Sequence, residues 1–130
     1  MTRRCRHPGG RDAGQATVEL ALVLPLVALV LVALVQAVVV ARDQLLVVHA
    51  ARESARAAAV DAAPGAARHA AELSGPLDPG RLDVDVSGRG APGSRVRTVV
   101  RYREPIDLPI IGRLLGDVNL RAEATMRVER

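Results

Sequence analysis

Phenylalanine, tryptophan and lysine are absent from this 130-residue chain, and tyrosine and cysteine occur once each, as Tyr102 and Cys5. Each gap removes a class of explanation. A single cysteine excludes an intramolecular disulfide. No hydrophobic segment precedes Cys5, which excludes a lipoprotein signal and leaves an incidental residue of the N-terminal segment. Without aromatics there are no platforms on which nucleic-acid bases can stack. The net charge of +4 does not replace them, because past Ala41 the arginines are nearly matched by Asp and Glu and form no basic block. Nucleic acid is therefore not an expected partner, while attraction to anionic lipid stays open. Any core must be built from Leu, Val, Ile and Ala.

Catalytic patterns are equally sparse. His7, His49 and His69 are scattered along the chain. His49 and Glu53 stand four residues apart and can touch on a helix, but two groups do not make a metal site. Ser54 and Ser74 lack a matching histidine and acid. The glycine-rich stretch 88–93 has no following Lys-Ser/Thr and reads as a hairpin connection, not a phosphate loop. No enzymatic activity, cofactor, metal or small-molecule substrate is expected.

What the chain does have is an uncharged run over 20–41, LALVLPLVALVLVALVQAVVVA. A membrane-crossing helix needs roughly 20 mostly apolar residues. This run is apolar on every face, so its surroundings must be lipid or other apolar helices. Pro25 removes a backbone donor and is expected to bend the helix near its start. Gln36 is either a hydrogen-bonding contact between packed helices or a tolerated polar residue near the outer interface. A secretory signal core is usually about 7 to 15 residues long and ends in a small-residue cleavage site, which this run does not match. Ahead of it, Arg3, Arg4, Arg6 and Arg11 stand against Asp12 alone, which holds this end in the cytoplasm and sends the remainder outward.

Between the arginines and the span lies Gly14-Gln15-Ala16-Thr17-Val18-Glu19, with one carboxylate at the mouth of the apolar run. Taken alone, Glu19 is a glutamate resting at the interface beside the positive end of a helix. A plain anchor does not need it.

Helical character continues over 42–61 but becomes amphipathic. Leu45, Val48, Arg52, Ala55 and Ala59 recur at three- and four-residue steps, with Arg42, Asp43, Glu53 and Arg56 marking the polar side. No breaker separates this part from the span, which predicts one helix of about 45 residues, roughly 65 Å long. Pro64-Gly65 stops it, and 66–73 reads as a short alanine-rich helix. Three alternating runs follow. Leu82, Val84 and Val86 alternate with polar residues; Val96, Thr98, Val100 and Tyr102 oppose Arg95, Arg97, Val99, Arg101 and Arg103; and 118–129 places Val118, Leu120, Ala122, Ala124, Met126 and Val128 on one face. Pro105 and Pro109 enforce a loop whose Ile106, Leu108, Ile110, Ile111, Leu114 and Leu115 are available to cover the core. Three antiparallel strands with one apolar face need a cover, and the outer half of the long helix can supply it. The expected fold is α+β, a long N-terminal helix packed on a small three-stranded antiparallel sheet. It divides into a leader (1–14), a transmembrane helix (15–41), its amphipathic extension (42–63) and a small extracytoplasmic head (64–130).

Three passages together resemble the TadE-like minor pseudopilins of the tight-adherence (Flp) branch of type IV pilus systems. They are GQATVELALVLPL at 14–26, HAARESARAAAV at 49–60, and VRTVVRYREPIDLPIIGRLL followed by LRAEATMRVE toward the C-terminus. Leu20 stands where the family commonly has Phe, and the missing aromatics are a second departure. The resemblance implies a pilin-like fold and cleavage by a prepilin peptidase between Gly14 and Gln15. It also implies that Glu19 sets axial register by pairing with a neighbouring subunit's new N-terminal amine. The implied partners are the peptidase, other pilins or pseudopilins, pilus platform proteins and membrane lipid. The implied place is the cytoplasmic membrane, and possible entry into the pilus itself follows from the same likeness. The alternative is an uncleaved single-pass membrane protein whose outer head binds an envelope partner.

Overall fold

A computed structural model describes residues 12–105 and 116–129. The arginines at 3, 4, 6 and 11 lie outside the described residues, as do Ile106, Leu108, Ile110, Ile111, Leu114 and Leu115, on which the loop cover was expected. The architecture is α+β and pilin-like. Helix α1 runs over Asp12–Val60, helix α2 over Ala66–Leu73, and a 3-10 turn over Pro79–Arg81 leads into strand β1, Leu82–Ser87. Strands β2, Arg95–Glu104, and β3, Val118–Arg127, complete an antiparallel sheet in the order β1-β2-β3. Contacts divide the chain into two units, Met1–Ala37 and Val38–Arg130.

The first unit holds the apolar part of α1. Every residue from 14 to 35 is exposed, and helical backbone continues through Pro25. Helical backbone is already present at Asp12, so Gly14 lies within α1.

The second unit has the layers that the alternation predicts. In β2, Val96, Thr98, Val100 and Tyr102 all point inward and are buried. Val100 pairs with Val84 on one side and Ala122 on the other, so the inward rows of the three strands line up in register. Their cover is the second half of α1. Val47, Ala50, Ala51, Ala71, Leu77, Leu82, Val100, Tyr102, Leu120 and Ala122 form one buried cluster. A smaller one joins Ala58, Ala59 and Ala67 to Val96 and Val128. Bulk comes from the sheet, while the helices contribute mostly alanine. Tyr102, the one aromatic, has its hydroxyl within 3.5 Å of the Asp78 amide that donates to it.

The buried face of α1 differs from the expected one. Leu45 is 71% exposed and Arg52 is exposed, whereas Val47, Ala50, Ala51, Ser54, Ala55, Ala58 and Ala59 face the sheet. The larger residues set the apparent periodicity, but the small ones occupy the interface. Thr98 Oγ1 donates to the Ala51 carbonyl at 3.1 Å, a contact between strand and helix backbone that a bulkier helix face would obstruct.

The 88–93 connection does join β1 to β2. Gly88 has φ +75°, and a Cβ there would stand 2.9 Å from the Arg95 carbonyl oxygen, so glycine is required. Beside it, Arg89 folds onto the end of α1 and donates from Nη1 to the carbonyls of Ala58 and Asp61. A cation there completes carbonyls that the helix leaves unpaired and sits at the negative end of the helix dipole.

Candidate processing and assembly segment

The sequence singled out Gly14, Gln15, Glu19 and Pro25, and all four lie on the exposed N-terminal part of α1. The most apolar 18-residue window of α1 has mean hydropathy 2.9 and none of it is buried. One helix among the described residues is thus long and apolar enough to span a membrane, and its leucines and valines are exposed. Leu22 is 73% exposed and Val35 65%.

Gly14 is the informative position. A Cβ added there meets nothing within 4 Å, and its φ is not in the left-handed region. Neither packing nor backbone conformation asks for glycine. Within a helix glycine costs about 1 kcal/mol relative to alanine. The residue therefore weakens the helix without structural return. Glu19 stands one helical turn beyond Gln15, exposed, with no ion pair among the described residues.

Among the described residues, no three His, Cys, Asp or Glu side chains converge in a metal-binding group. Ser54 is fully buried and its Oγ meets no hydrogen-bonding partner among the described residues. Ser74 donates its hydroxyl to the Ala71 carbonyl at 2.7 Å, as a helix-terminal serine does. His49 and His69 are exposed.

Residues 14–56 match the family model described as TadE-like protein. Over that stretch, about a third of the chain, the sequence is similar to the TadE-like family. TadE-like proteins are pilin-like proteins associated with Tad pili and are generally non-enzymatic structural proteins. No curated protein and no solved structure matches the chain. The TadE-like segment takes in Gly14, Glu19, the apolar helix and the amphipathic extension as far as Arg56, and stops before α2 and the sheet.

Two features of the second unit escaped the sequence reading. Arg89 was legible only as part of a turn, because nothing local marks a side chain that caps a helix distant in sequence. The outward stripe of α1 was partly legible, since Arg52 and Arg56 lack an acidic residue four positions away on either side.

Proposed function

We propose that this chain is a minor pseudopilin, made as a precursor that a prepilin peptidase cuts between Gly14 and Gln15. The observation that carries the reading is a helix-weakening glycine with no packing or conformational duty, five residues before the only carboxylate at the mouth of an exposed apolar helix. Glycine suits a protease that grips extended backbone, since it puts no side chain in the way. Cleavage frees an amine on Gln15. That amine gives the Glu19 carboxylate a counter-charge. A carboxylate in a span costs about 2.5 to 3.5 kcal/mol near the centre and less toward the end. Pairing with a neighbouring subunit's amine offsets that cost and sets axial register.

The arginines at 3, 4, 6 and 11 hold the leader in the cytoplasm, and the α+β head faces outward. Before assembly, the helix anchors the protein in the cytoplasmic membrane, with Pro25 bending it near its start. During assembly, the helix packs among other pilin or pseudopilin helices on the platform proteins, and the protein primes, caps or adapts the pilus or a related secretion machine.

One observation favours a second reading. The Gly14–Gln15 bond lies in helical backbone, which a protease must first unwind. An uncleaved single-pass protein whose head binds an envelope partner needs no such step. The mass and N-terminal peptide of the protein from its own membranes decide between them. A chain that starts at Gln15 supports the pseudopilin. A chain that keeps Met1 through Gly14, in cells with an active peptidase, supports the uncleaved protein.

A further inference from the structure

Beyond Val38, α1 turns one narrow stripe away from the sheet. Arg42, Leu45, His49, Arg52 and Arg56 follow one another at three- and four-residue steps, and all five are exposed. At about 100° per residue, from roughly 3.6 residues per turn, they fall within about 80° of the helix circumference. The stripe carries three arginines and no carboxylate. Glu53 flanks it half-buried and makes no ion pair among the described residues, and Asp43 points further round. Arg52 and Arg56, four residues apart, form a like-charge pair and repel each other. Elsewhere in the same unit some arginines are matched (Arg68 with Glu72, Arg81 with Asp78, Arg97 with Glu123 and Arg101 with Asp83), while Arg95, Arg103, Arg121 and Arg127 are scattered over the sheet without an ion pair among the described residues. What sets the helix stripe apart is that its three arginines share one line. Leu45, at 71% exposure, stands among the cations as an exposed apolar residue.

We propose that this stripe docks a helix of a different subunit, one that presents carboxylates at three-, four- and seven-residue spacing around an apolar residue that meets Leu45. The inference rests on the pseudopilin reading for its setting. Charge complementarity selects the occupant. A second copy that offered the same stripe would set arginine against arginine. An anionic lipid surface binds helices through a broad apolar face beneath their cations, and here that face (Val47, Ala50, Ala51, Ala55 and Ala58) is already spent on the chain's own sheet. A stripe one or two residues wide fits the ridge of another helix, where side chains three and four apart interleave. Arginine suits such a contact because its planar fork grips a carboxylate with two parallel hydrogen bonds.

The test uses the full chain in its own cells, with a photo-crosslinking residue in place of His49 and the adduct identified by peptide sequencing. The expected adduct is with a different protein, in a segment holding at least two carboxylates at helical spacing. Arg52→Glu combined with Arg56→Glu is expected to lower its yield at least about tenfold, and changing the contacted carboxylates to arginine to restore it; tenfold corresponds to ~1.4 kcal/mol. Arg52→Gln with Arg56→Gln is expected to fall between. The proposal is overturned by an adduct with a second copy, an adduct with lipid alone, a contacted segment without carboxylates, a yield indifferent to charge reversal, or no adduct. Leader removal, read from the same sample, separates the two ideas. A charge-dependent adduct on a chain that keeps its leader sustains the docking and sinks the pseudopilin reading. A cleaved leader without such an adduct does the reverse.

Discussion

Replacing Ser54 by alanine probes the interface between α1 and the sheet where its polar chemistry is least satisfied. Ser54 is 0% exposed and its Oγ meets no partner among the described residues. A buried hydroxyl left unmade costs about 1–3 kcal/mol, and serine forms helix less readily than alanine by up to ~0.7 kcal/mol. Against these stands the dispersion lost with one oxygen, about 0.1–0.2 kcal/mol for each neighbouring atom. The balance favours the variant by roughly 0.5–2 kcal/mol. The paired hydroxyl next to it gives the opposite sign. Thr98 is equally buried but donates to the Ala51 carbonyl at 3.1 Å, so Thr98→Val, close in shape, loses that bond and about 1 kcal/mol. In a unit of this size 1 kcal/mol moves the unfolding midpoint by about 4–8 °C. The assay is thermal or urea unfolding of the full chain in detergent, followed by the emission of Tyr102. That tyrosine is buried, and no other aromatic exists to obscure it. A lowered midpoint for Ser54→Ala, or a shift of both variants in the same direction, refutes the reasoning.

Arg89→Ala is expected to lower the same midpoint by about 1–2 kcal/mol, because it removes a charged donor from the end of α1; Arg89→Lys recovers only part of this, having no planar fork. An unchanged midpoint for Arg89→Ala would remove the cap as a stabilising contact. Gly14→Leu is expected to leave the leader attached, read as intact mass, with the α1 helix undiminished by circular dichroism; normal processing counts against the cleavage site. Glu19→Ala is expected to insert into membranes normally and to enter pilus preparations at least about tenfold less, equivalent to ~1.4 kcal/mol. Undiminished entry would take the register role away from the carboxylate.

How far the fold could be read from the sequence depended on contrast between neighbouring side chains. The apolar run over 20–41 and the alternation in β2 and β3 have strong contrast, and the span, the strand order and the inward row Val96, Thr98, Val100 and Tyr102 follow from them. The extension of α1 has little. Alanine sits on both its buried and its exposed sides, so Leu45 and Val48 fixed the apparent face, and the interface through Ala50, Ala51 and Ser54 went unseen. Val99 misled in the other direction: it lies on the arginine side of β2, yet is only 6% exposed. Its neighbours Arg97 and Arg101 carry long aliphatic stems that cover apolar surface while their charged ends stay in water. In the candidate site, residue types were legible at Gly14 and Glu19. What the sequence could not supply was the open space around Gly14, which is what turns a common residue into an unexplained one.

An alanine face raises a problem of register that its apolar contacts do not solve. Burial of small apolar groups is non-directional and grows with area alone, so Ala50, Ala51, Ala55, Ala58 and Ala59 could slide along the inward valines with little change in area buried. Polar ties remove that freedom. Gln44 Nε2 donates to the Arg121 carbonyl at 3.1 Å, Thr98 Oγ1 donates to Ala51, and the end of the helix receives Glu129 N at the Ala59 carbonyl, 3.2 Å away, together with Arg89. These fall near the start, middle and end of the packed segment, and they come from β3, β2, the chain after β3 and the β1–β2 connection. A one-turn slip of α1 would break all of them at once. The arrangement also determines what the outer side of the helix presents. With register pinned, Arg42, Leu45, His49, Arg52 and Arg56 are held facing away from the sheet as a fixed line, and a fixed line of charge can recognise a partner by spacing as well as by sign.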